Sequence, residues 1–598
     1  MSDKRSETDK AARDAWIRAL QATAPVAQHP TVTLPIVIDQ MAEAFADSPA
    51  LIGESETLSY RALASRVRDY AGWALAHRVG RGDVVCLMMH NCPEYMAVWL
   101  GITRIGGVVA LINTSLAGES LRHAIDIVAP RHVIVAAAFA AAVDAVVPQL
   151  GSTPILWVHG GDHPHHARID SVLELPAADP SIAASCPAPS LADRALCIYT
   201  SGTTGHPKAA NVSHHRLMQW SRWFAGMMDA RQSDRMYNCL PMYHSIGGVV
   251  ATGAMLVSGG SVVVRERFSA SRFWDDIAEH GCTVFQYIGE LCRYLVNAPP
   301  HRSETAHGLR LACGNGLRPD VWDAFRSRFR IPGHLEFYAA TEANFSLYNC
   351  EGEPGSIGRI PPFMAHRFPV ALVEFDVETG TPLRNADGFC IRCAPDEVGE
   401  AISRIPDSAS QAGSPFEGYT DRDASATKVL RNVFATGDAW FRSGDLMRKD
   451  ARGYFYFVDR IGDTFRWKGE NVSTTEVAEA ISACPGITEA VVYGVAVPGA
   501  DGRAGMASIV TLPGFDFADL RRHLGGALPE YARPLFVRVR DAIDVTETFK
   551  QKKPELVRAG YDPEVTADAI YLDNRTEDAF VRIDAALYRR IEAGELRL

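Results

Sequence analysis

The stretch YTSGTTGHPKAANVSH, residues 199–214, gathers four hydroxyl side chains, two glycines and a lysine into residues 200–208. It follows an apolar run, residues 195–199, which predicts a buried strand, and it precedes a segment from Arg216 onward that predicts a helix. A strand, a glycine-rich loop and a helix in this order direct backbone N–H groups and a helix N-terminus at an anion. The sequence therefore predicts a phosphate-binding loop.

The loop is not a Walker A motif, because its glycines and lysine do not stand in the order G-x-x-x-x-G-K-[ST]. Its glycines still allow the backbone to approach a polyphosphate closely, its hydroxyls can donate hydrogen bonds, and its lysine supplies charge. We predict that nucleotide phosphates are bound by Thr200, Ser201, Gly202, Thr203, Thr204, Gly205 and Lys208.

Composition indicates an ordinary globular protein: of 598 residues, 47% are hydrophobic and 22% are charged. The net charge of −11 argues against nucleic acid as the main partner, since phosphate binding needs a basic surface. The twelve cysteines are scattered, which favours reduced thiols over a disulfide framework. The polar residues 1–10 do not resemble a signal peptide, so we expect a cytoplasmic protein.

Three other features have competing interpretations. We interpret Cys390 and Cys393 as two cysteines on one strand and not as a metal site. We likewise interpret His163-Pro-His165-His166 as a solvated surface loop and not as a metal site. The uncharged run at residues 246–264 approaches the length of a membrane span, but Gly259-Gly260 divides it. We therefore predict a buried helix, a turn and a strand there.

Apolar strand-like runs alternate with helical patterns over most of the chain, as at residues 84–89 and 108–112. This alternation predicts an α/β protein with largely parallel sheets. After Asp459-Arg460 the pattern becomes helix, two strands, helix and strand, typical of a small α+β domain. The predicted organisation is a helical N-terminal extension (1–34), a large domain (35–459), a hinge (460–463) and a small C-terminal domain (464–598).

Several motifs in the chain resemble those of the adenylate-forming enzymes, the superfamily of acyl-CoA synthetases, peptide-synthetase adenylation domains and firefly luciferase. The signature loop is similar to residues 201–208, and further matches follow in order: LPMYH (240–244), GNG (314–316), YAATE (338–342), RSGD (442–445), DR (459–460) and KGEN (468–471). Residues 287–300, 442–477, 502–507 and 548–553 resemble the fatty-acid-transport-protein or very-long-chain acyl-CoA synthetase branch.

The resemblance implies a large N-terminal α/β domain with layered sheets and a small, mobile C-terminal domain. It also implies a reaction in which a carboxylate attacks the α-phosphorus of Mg-ATP and the thiol of coenzyme A then attacks the acyl-adenylate. On this basis ATP, Mg²⁺ and coenzyme A are the expected cofactor and cosubstrates.

The same resemblance assigns roles to residues near the reacting atoms. Glu342 would ligate Mg²⁺, and Thr341 would contact the α-phosphate. Lys550 would bridge the substrate carboxylate and the α-phosphate as charge develops, with Lys552 and Lys553 as its rivals. His244 would lie beside the acyl carboxylate and close the thiol tunnel, or else be a packed, hydrogen-bonded histidine.

Other residues are implied in binding the nucleoside and coenzyme A. Tyr338 would stack on the adenine, which Gly314, Asn315 and Gly316 would border. The ribose hydroxyls would bind Asp445, with Arg460 nearby. Lys468, Gly469 and Glu470 would line the approach of coenzyme A.

Two positions depart from the family pattern. Gly462 stands where an Asp or Lys is common, which leaves the pivot of the hinge open. Ala343-Asn344 stands where a glycine is common, which bears on the shape of the acyl pocket.

The sequence thus indicates an ATP-dependent acyl-CoA ligase for a long-chain or very-long-chain fatty acid. Two alternatives stay open, an acyl-AMP ligase that loads a carrier protein and a membrane-associated protein for fatty-acid uptake. The expected partners are the fatty acid, ATP and coenzyme A, with no nucleic acid. Peripheral contact with the inner face of a membrane and a homodimer are left open.

Overall fold

The computed structural model describes residues 2–174, 188–200, 206–406, 416–500, 502–546 and 551–596. Helices and strands alternate along it, which confirms the predicted α/β fold class. The helices, α1 to α16 in chain order, are Ser2–Gln28, Leu34–Ala44, Tyr60–Ala76, Pro93–Arg104, Gly118–Asp126, Ala140–Val146, His214–Met227, Thr252–Leu256, Phe273–Glu279, Gly289–Asn297, Pro319–Phe329, Arg422–Ala426, Thr474–Ser482, Phe517–Ala527, Lys553–Ala559 and Ala585–Glu592.

The chain divides into two compact units. Unit 1 consists of Met1–Leu317, Phe325–Glu353 and Pro415–Lys428. Unit 2 consists of Arg318–Ala324, Pro354–Ser414 and Val429–Leu598. The chain therefore leaves and re-enters unit 1 twice, and the predicted hinge at residues 460–463 lies inside a segment of unit 2.

Unit 1 contains two mainly parallel sheets, as the apolar runs predict. In the first sheet the strand order is β15-β14-β13-β12-β10-β11-β1-β2, and in the second it is β7-β6-β5-β3-β4-β8-β9. The strands β1 to β15 are Pro49–Ile52, Thr57–Ser59, Val84–Met88, Val108–Leu111, His132–Ala136, Ile155–His159, Ala167–Arg168, Arg194–Thr200, Lys208–Ser213, Arg235–Asn238, Ser261–Val264, Val284–Ile288, Leu311–Asn315, Gly333–Ala339 and Ser346–Asn349.

The glycine-rich segment leads into a strand and not directly into a helix. β8 and β9 pair antiparallel, with Thr200 opposite Lys208, and helix α7 begins only at His214. Ala209, Ala210 and Val212 are buried by this pairing, while the hydroxyl of Ser213 caps α7 by accepting a hydrogen bond from the Arg216 N–H at 3.1 Å. The helix predicted from Arg216 onward is therefore confirmed as α7, whereas the strand β9 between the loop and this helix was not predicted.

The uncharged run at residues 246–264 forms the predicted buried helix, turn and strand. A π-helical turn, Ile246–Ala251, continues into α8, and β11 follows after Gly259 and Gly260. None of the helices in the described part of the chain is long and apolar enough to span a membrane.

Unit 2 contains a mainly antiparallel sheet of order β17-β20-β22-β23-β16, with β21 on β22, and a five-stranded sheet of order β26-β27-β28-β29-β30; β18 pairs with β19, and β24 with β25. The strands β16 to β30 are Gly358–Arg359, Val370–Val373, Phe375–Asp376, Thr381–Pro382, Val398–Arg404, Val429–Arg431, Ala439–Lys449, Tyr454–Arg460, Phe465–Trp467, Glu470–Val472, Ile487–Ala496, Arg503–Thr511, Phe536–Val539, Ala569–Asn574 and Ala579–Arg582. The predicted order of helix, two strands, helix and strand is present as α13, β26, β27, α14 and β28.

Candidate active site

The phosphate-binding loop joins two strand ends that face each other in unit 1. Thr200 ends β8 and Lys208 begins β9, and the two residues are partners in the antiparallel register. The residues predicted between them, Ser201, Gly202, Thr203, Thr204 and Gly205, lie outside the described residues. The described geometry therefore fixes where the loop starts and ends.

Tyr419 connects three of the predicted site residues. Its hydroxyl donates a hydrogen bond to Oε1 of Glu342 at 2.8 Å, and it also hydrogen-bonds the side chain of Thr200. The ammonium of Lys208 lies 5.8 Å from the centroid of its ring, within cation–π range. Burial, followed by the Glu342 carboxylate, raises the pKa of the Tyr419 phenol, so the hydroxyl stays a proton donor.

The segment that carries Tyr419 is held against β9 by backbone hydrogen bonds. The N–H of Asn211 donates to the carbonyl of Gly418 at 2.9 Å, and the N–H of Thr420 donates to the carbonyl of Ala209 at 2.9 Å. Residues 416–428, distant in sequence, thus extend the edge of the sheet beside the loop.

Arg216 is a buried cation at the start of α7, with a side chain only 3% exposed. Its Nη1 donates to the carbonyl oxygen of Thr341 at 2.8 Å, and its Nε lies 3.5 Å from Oε1 of Glu417. Glu417 also accepts hydrogen bonds from the N–H and hydroxyl of Ser213, at 2.7 and 2.6 Å. This guanidinium therefore ties the Thr341-Glu342 turn to the helix that follows the phosphate-loop strands.

His244 lies in a turn whose next residue, Ser245, contacts Thr341. The hydroxyls of Ser245 and Thr341 are 3.1 Å apart. The turn is backed by Gly248, where a Cβ atom would come within 2.1 Å of the Met242 carbonyl oxygen. His244 is half-buried, and its ring centroid is 4.7 Å from that of Tyr243. This position is compatible with a residue beside the acyl carboxylate and with a packed, hydrogen-bonded histidine.

The predicted adenine border is formed by the end of β13. A Cβ on Gly314 would lie 2.3 Å from the Tyr287 carbonyl oxygen, and Gly316 has φ +78°, so both positions need glycine. Between them, Oδ1 of Asn315 is buried without a hydrogen-bond partner in the described part of the chain. Because a buried acceptor needs a donor, this atom suits an exocyclic amino group such as that of adenine.

Tyr338, the residue predicted to stack on adenine, lies in β14, directly beside β13 in the sheet. Its ring is half-buried and 5.6 Å from that of Phe345. The structure thus brings Tyr338 and the Gly314–Gly316 turn to neighbouring strands of one sheet.

Beneath that turn lies a fully buried carboxyl, Glu336 of β14. It accepts hydrogen bonds from the Tyr287 hydroxyl at 2.5 Å and from the Leu317 N–H at 3.0 Å. Burial raises the pKa of Glu336 from 4.5 to about 8. The carboxyl therefore links β12, β14 and the turn that precedes α11.

The predicted ribose pair is adjacent in unit 2. Asp445 of β22 and Arg460 of β23 are register partners, with the Arg460 Nε 3.9 Å from Oδ1 of Asp445. The neighbouring Asp459 is buried and accepts hydrogen bonds from the N–H and hydroxyl of Thr474, at 2.6 and 3.1 Å. Asp459 thus fixes the start of α13 next to the predicted hinge.

The lysine predicted to act in adenylation, Lys550, lies outside the described residues. Its rival Lys553 forms an ion pair with Asp463 at 3.0 Å and donates to the Thr474 hydroxyl at 2.8 Å. Lys553 therefore ties α15 to the last residue of the predicted hinge and to the start of α13.

Lys468 and Gly469 form the two-residue turn of the β24–β25 hairpin. Their φ angles of +51° and +87° are typical of the type I′ turn that suits a tight hairpin. Beside the hairpin is a cavity of about 370 Å³, and Arg466 in its wall pairs with Glu378. The cavity is lined by Phe375, Asp376, Val377, Leu383, Arg466, Gly469, Glu470 and Asn471.

Sequence reasoning missed Arg216, Glu417, Tyr419 and Glu336. Glu336 could have been suspected, because it interrupts the apolar pattern of a buried strand (Leu335, Phe337). Arg216 and Tyr419 carry no such signal, since only the fold brings Arg216 to Thr341 and residues 416–428 beside β9.

Models of two families match the chain. The AMP-binding enzyme model matches residues 38–400, and the AMP-binding enzyme C-terminal domain model matches residues 476–550. Among curated relatives, long-chain fatty acid transport protein 1 of Mus musculus is 41% identical over 525 residues, covering 86% of this chain and 80% of that protein. Medium/long-chain-fatty-acid–CoA ligase FadD6 of Mycobacterium tuberculosis is 38% identical over 563 residues, covering 93% and 91%.

Solved structures show the same fold. The anthranilate CoA ligase AuaEII in complex with anthranoyl-AMP superposes with a TM-score of 0.74 at 19% identity, covering 88% of this chain and 97% of that one. At this identity the likeness concerns the fold alone.

Proposed function

The chain belongs to the AMP-binding enzyme family, and on this premise we propose that it is an ATP-dependent acyl-CoA ligase for long-chain fatty acids. The single observation that carries the proposal is the set of contacts around Tyr419. These contacts join, in one compact unit, the residues that the resemblance assigns to the phosphates (Thr200 and Lys208) and to the metal (Glu342). The names of the two curated relatives support a long-chain acid as the substrate.

In the first half-reaction, a carboxylate oxygen of the fatty acid bonds to the α-phosphorus of ATP, and the bond to pyrophosphate breaks. We assign Thr200, Lys208 and residues 201–205 to the β- and γ-phosphates, and Thr341 to the α-phosphate. Their donors offset the charge that builds on the transferred group. Arg216 would position Thr341 through the carbonyl oxygen that it holds.

Glu342 would be the ligand for Mg²⁺, since a hard cation prefers carboxylate and phosphate oxygens. Its carboxylate accepts one hydrogen bond from Tyr419 and retains further lone pairs, so the residues present fit the ion. When bound, Mg²⁺ supplies positive charge to the phosphate oxygens. Tyr419 would fix the carboxylate in the orientation that binding requires.

In the second half-reaction, the sulfur of coenzyme A attacks the acyl carbonyl, AMP leaves, and the thiol proton is released. We assign the Lys468-Gly469-Glu470 hairpin to the approach of coenzyme A and His244 to the region of the acyl carboxylate. Asp445 and Arg460 would bind the ribose, Tyr338 and the Gly314–Gly316 turn the adenine, and Lys550 the substrate carboxylate.

The deciding experiment measures pyrophosphate release from Mg-ATP with saturated fatty acids of increasing length, with and without coenzyme A. We expect length-dependent release and formation of acyl-CoA, both lost in Lys550→Ala. Lys553→Ala is the matched control and should keep the activity. If release occurs without acyl-CoA, the acceptor is a carrier-protein thiol; if no acid supports release, the ligase proposal fails and fatty-acid uptake becomes the better account.

Location and assembly are separate parts of the proposal. We propose that the enzyme acts in the cytoplasm, where ATP and coenzyme A are available. We further propose that it contacts a membrane peripherally and that it forms a homodimer. Co-sedimentation with anionic lipid vesicles tests the first, and light scattering of the purified chain tests the second.

A further inference from the structure

The histidine-rich loop between β6 and β7 meets a carboxylate that sequence reading did not connect to it. Asp144 of α6 directs Oδ1 at the Nε2 of His166, 2.7 Å away, and Oδ2 at the Nε2 of His163, 3.5 Å away. The two imidazoles stack with centroids 4.6 Å apart and planes inclined by 7°. One potential ligand atom from each of the three residues therefore lies within 4.8 Å of the other two, and the near-parallel rings must tilt for both nitrogen lone pairs to reach one ion.

The separations suit ligands of a single transition-metal ion. Ligands about 2.0–2.2 Å from one ion lie roughly 2.9–3.5 Å from each other, and the observed nitrogen–oxygen distances of 2.7 and 3.5 Å bracket that range. Imidazole nitrogens and a carboxylate are the ligand set of zinc and of similar divalent ions. The side chains are 18–35% exposed, so an ion can reach them from solvent.

The charge of the cluster also favours a cation. Within the described part of the chain, Asp144 pairs with no lysine or arginine, and its carboxylate faces only the two imidazoles. A second cluster of potential ligands, Asp276, Glu279 and His280, differs in this respect. There, the guanidinium of Arg265 lies 3.0 and 3.1 Å from the Asp276 carboxylate oxygens and 2.6 Å from the His280 Nε2, so a cation already occupies the place of a metal.

We propose that Asp144, His163 and His166 form a binding site for a divalent transition-metal ion such as Zn²⁺, separate from the site of the ligase reaction. A bound ion would fasten the 160–166 loop to α6. Coordination through Nε2 places the proton of His163 on Nδ1, so the long contact from the His165 N–H to that nitrogen, 3.4 Å, is given up on binding. Mg²⁺, which prefers oxygen ligands, would not compete.

The test is isothermal titration of the full-length, tag-free chain with ZnCl₂ in the absence of ATP. We expect one ion per chain, with affinity reduced in His163→Asn, His166→Asn and Asp144→Asn by more than the roughly 10–100-fold that loss of an outer-shell partner costs. His165→Asn, from the same loop, and Glu279→Gln, from the second cluster, should bind as the unaltered chain does.

A second readout guards against misfolded variants. The thermal unfolding midpoint of each variant in EDTA should equal that of the unaltered chain, and only the unaltered chain and the two controls should gain stability with Zn²⁺. Absence of stoichiometric binding, or binding that survives loss of Asp144 and both histidines, would overturn the proposal, as would loss of binding in Glu279→Gln.

Discussion

On the proposal that Glu342 ligates Mg²⁺, replacing Tyr419 with phenylalanine should weaken the binding of that ion while leaving the fold in place. The substitution removes one hydroxyl, which donates to Glu342 at 2.8 Å, and keeps the ring beneath Lys208. A hydrogen bond to a charged group contributes about 1.5–3 kcal/mol, which at about 1.36 kcal/mol per tenfold change corresponds to at least a tenfold effect. Loss of a residue that orients a metal ligand typically costs ~10–100-fold in metal affinity or activity.

We therefore expect Tyr419→Phe to raise the free Mg²⁺ concentration needed for half-maximal pyrophosphate release by about 10–100-fold. The KM for the fatty acid should not change, because Tyr419 acts through the carboxylate of Glu342. A readout independent of turnover is the binding of Mn²⁺ in the presence of ATP, followed by its electron paramagnetic resonance signal.

The matched control is Tyr60→Phe, which removes another buried hydroxyl from unit 1, one that donates to the carbonyl of Gly260 at 2.7 Å. It should lower stability without altering the requirement for Mg²⁺. The reasoning is refuted if Tyr419→Phe has the Mg²⁺ and Mn²⁺ dependence of the unaltered chain, or if both variants shift it equally.

Three further predictions concern stability and nucleotide binding. Because the pKa of Glu336 is raised to about 8, the native carboxyl keeps a proton that the unfolded chain loses near pH 4.5. Between these two pH values the free energy of unfolding should fall with rising pH, by up to about 1.4 kcal/mol per pH unit. Glu336→Gln should remove this slope when the two proteins are compared by urea denaturation. Arg216→Gln should cost about 3 kcal/mol, the low end of what breaking a buried ion pair costs, because the Glu417 carboxylate left behind is 15% exposed. Arg216→Lys should cost less, and a smaller loss for Gln than for Lys in the same denaturation series would contradict the assignment. Gly314→Ala should cost about 1–3 kcal/mol, because its methyl group meets the Tyr287 carbonyl at 2.3 Å, and should weaken ATP binding measured by calorimetry; unchanged affinity would separate this turn from the adenine.

The sequence predicts local structure well where hydrophobic patterning dominates. The strands around Cys86, Val109 and Val133 are buried on both faces of a parallel sheet, so they read as continuous apolar runs. The helix expected from Arg216 onward forms as α7, but the strand β9 before it was not predicted. Its short run of small residues has no clear period, and the pairing partner, β8, decides its state.

The sequence motifs predicted which residues belong to the candidate site, but not which other residues hold them in place. The resemblance identified Thr341 and Glu342, yet it gave no indication that Arg216 and Tyr419 hold them. The contact of Arg216 with Thr341 joins residues that only the fold brings together, and the contact of Tyr419 with Glu342 also requires residues 416–428 to return to unit 1. Their sequence separations of 77 and 125 residues lie beyond any local pattern.

The return of residues 416–428 to unit 1 has a consequence for synthesis on the ribosome. Unit 1 is interrupted after Glu353 by the 61 residues from 354 to 414, which take roughly 3–12 s to translate at about 5–20 residues per second. During this interval the nascent chain contains Glu342 and the phosphate-loop strands, but Tyr419 and Glu417 do not yet exist. The edge of β9 and the guanidinium of Arg216 then lack the partners that residues 416–428 later supply, so this interval is one in which a chaperone would protect the emerging chain.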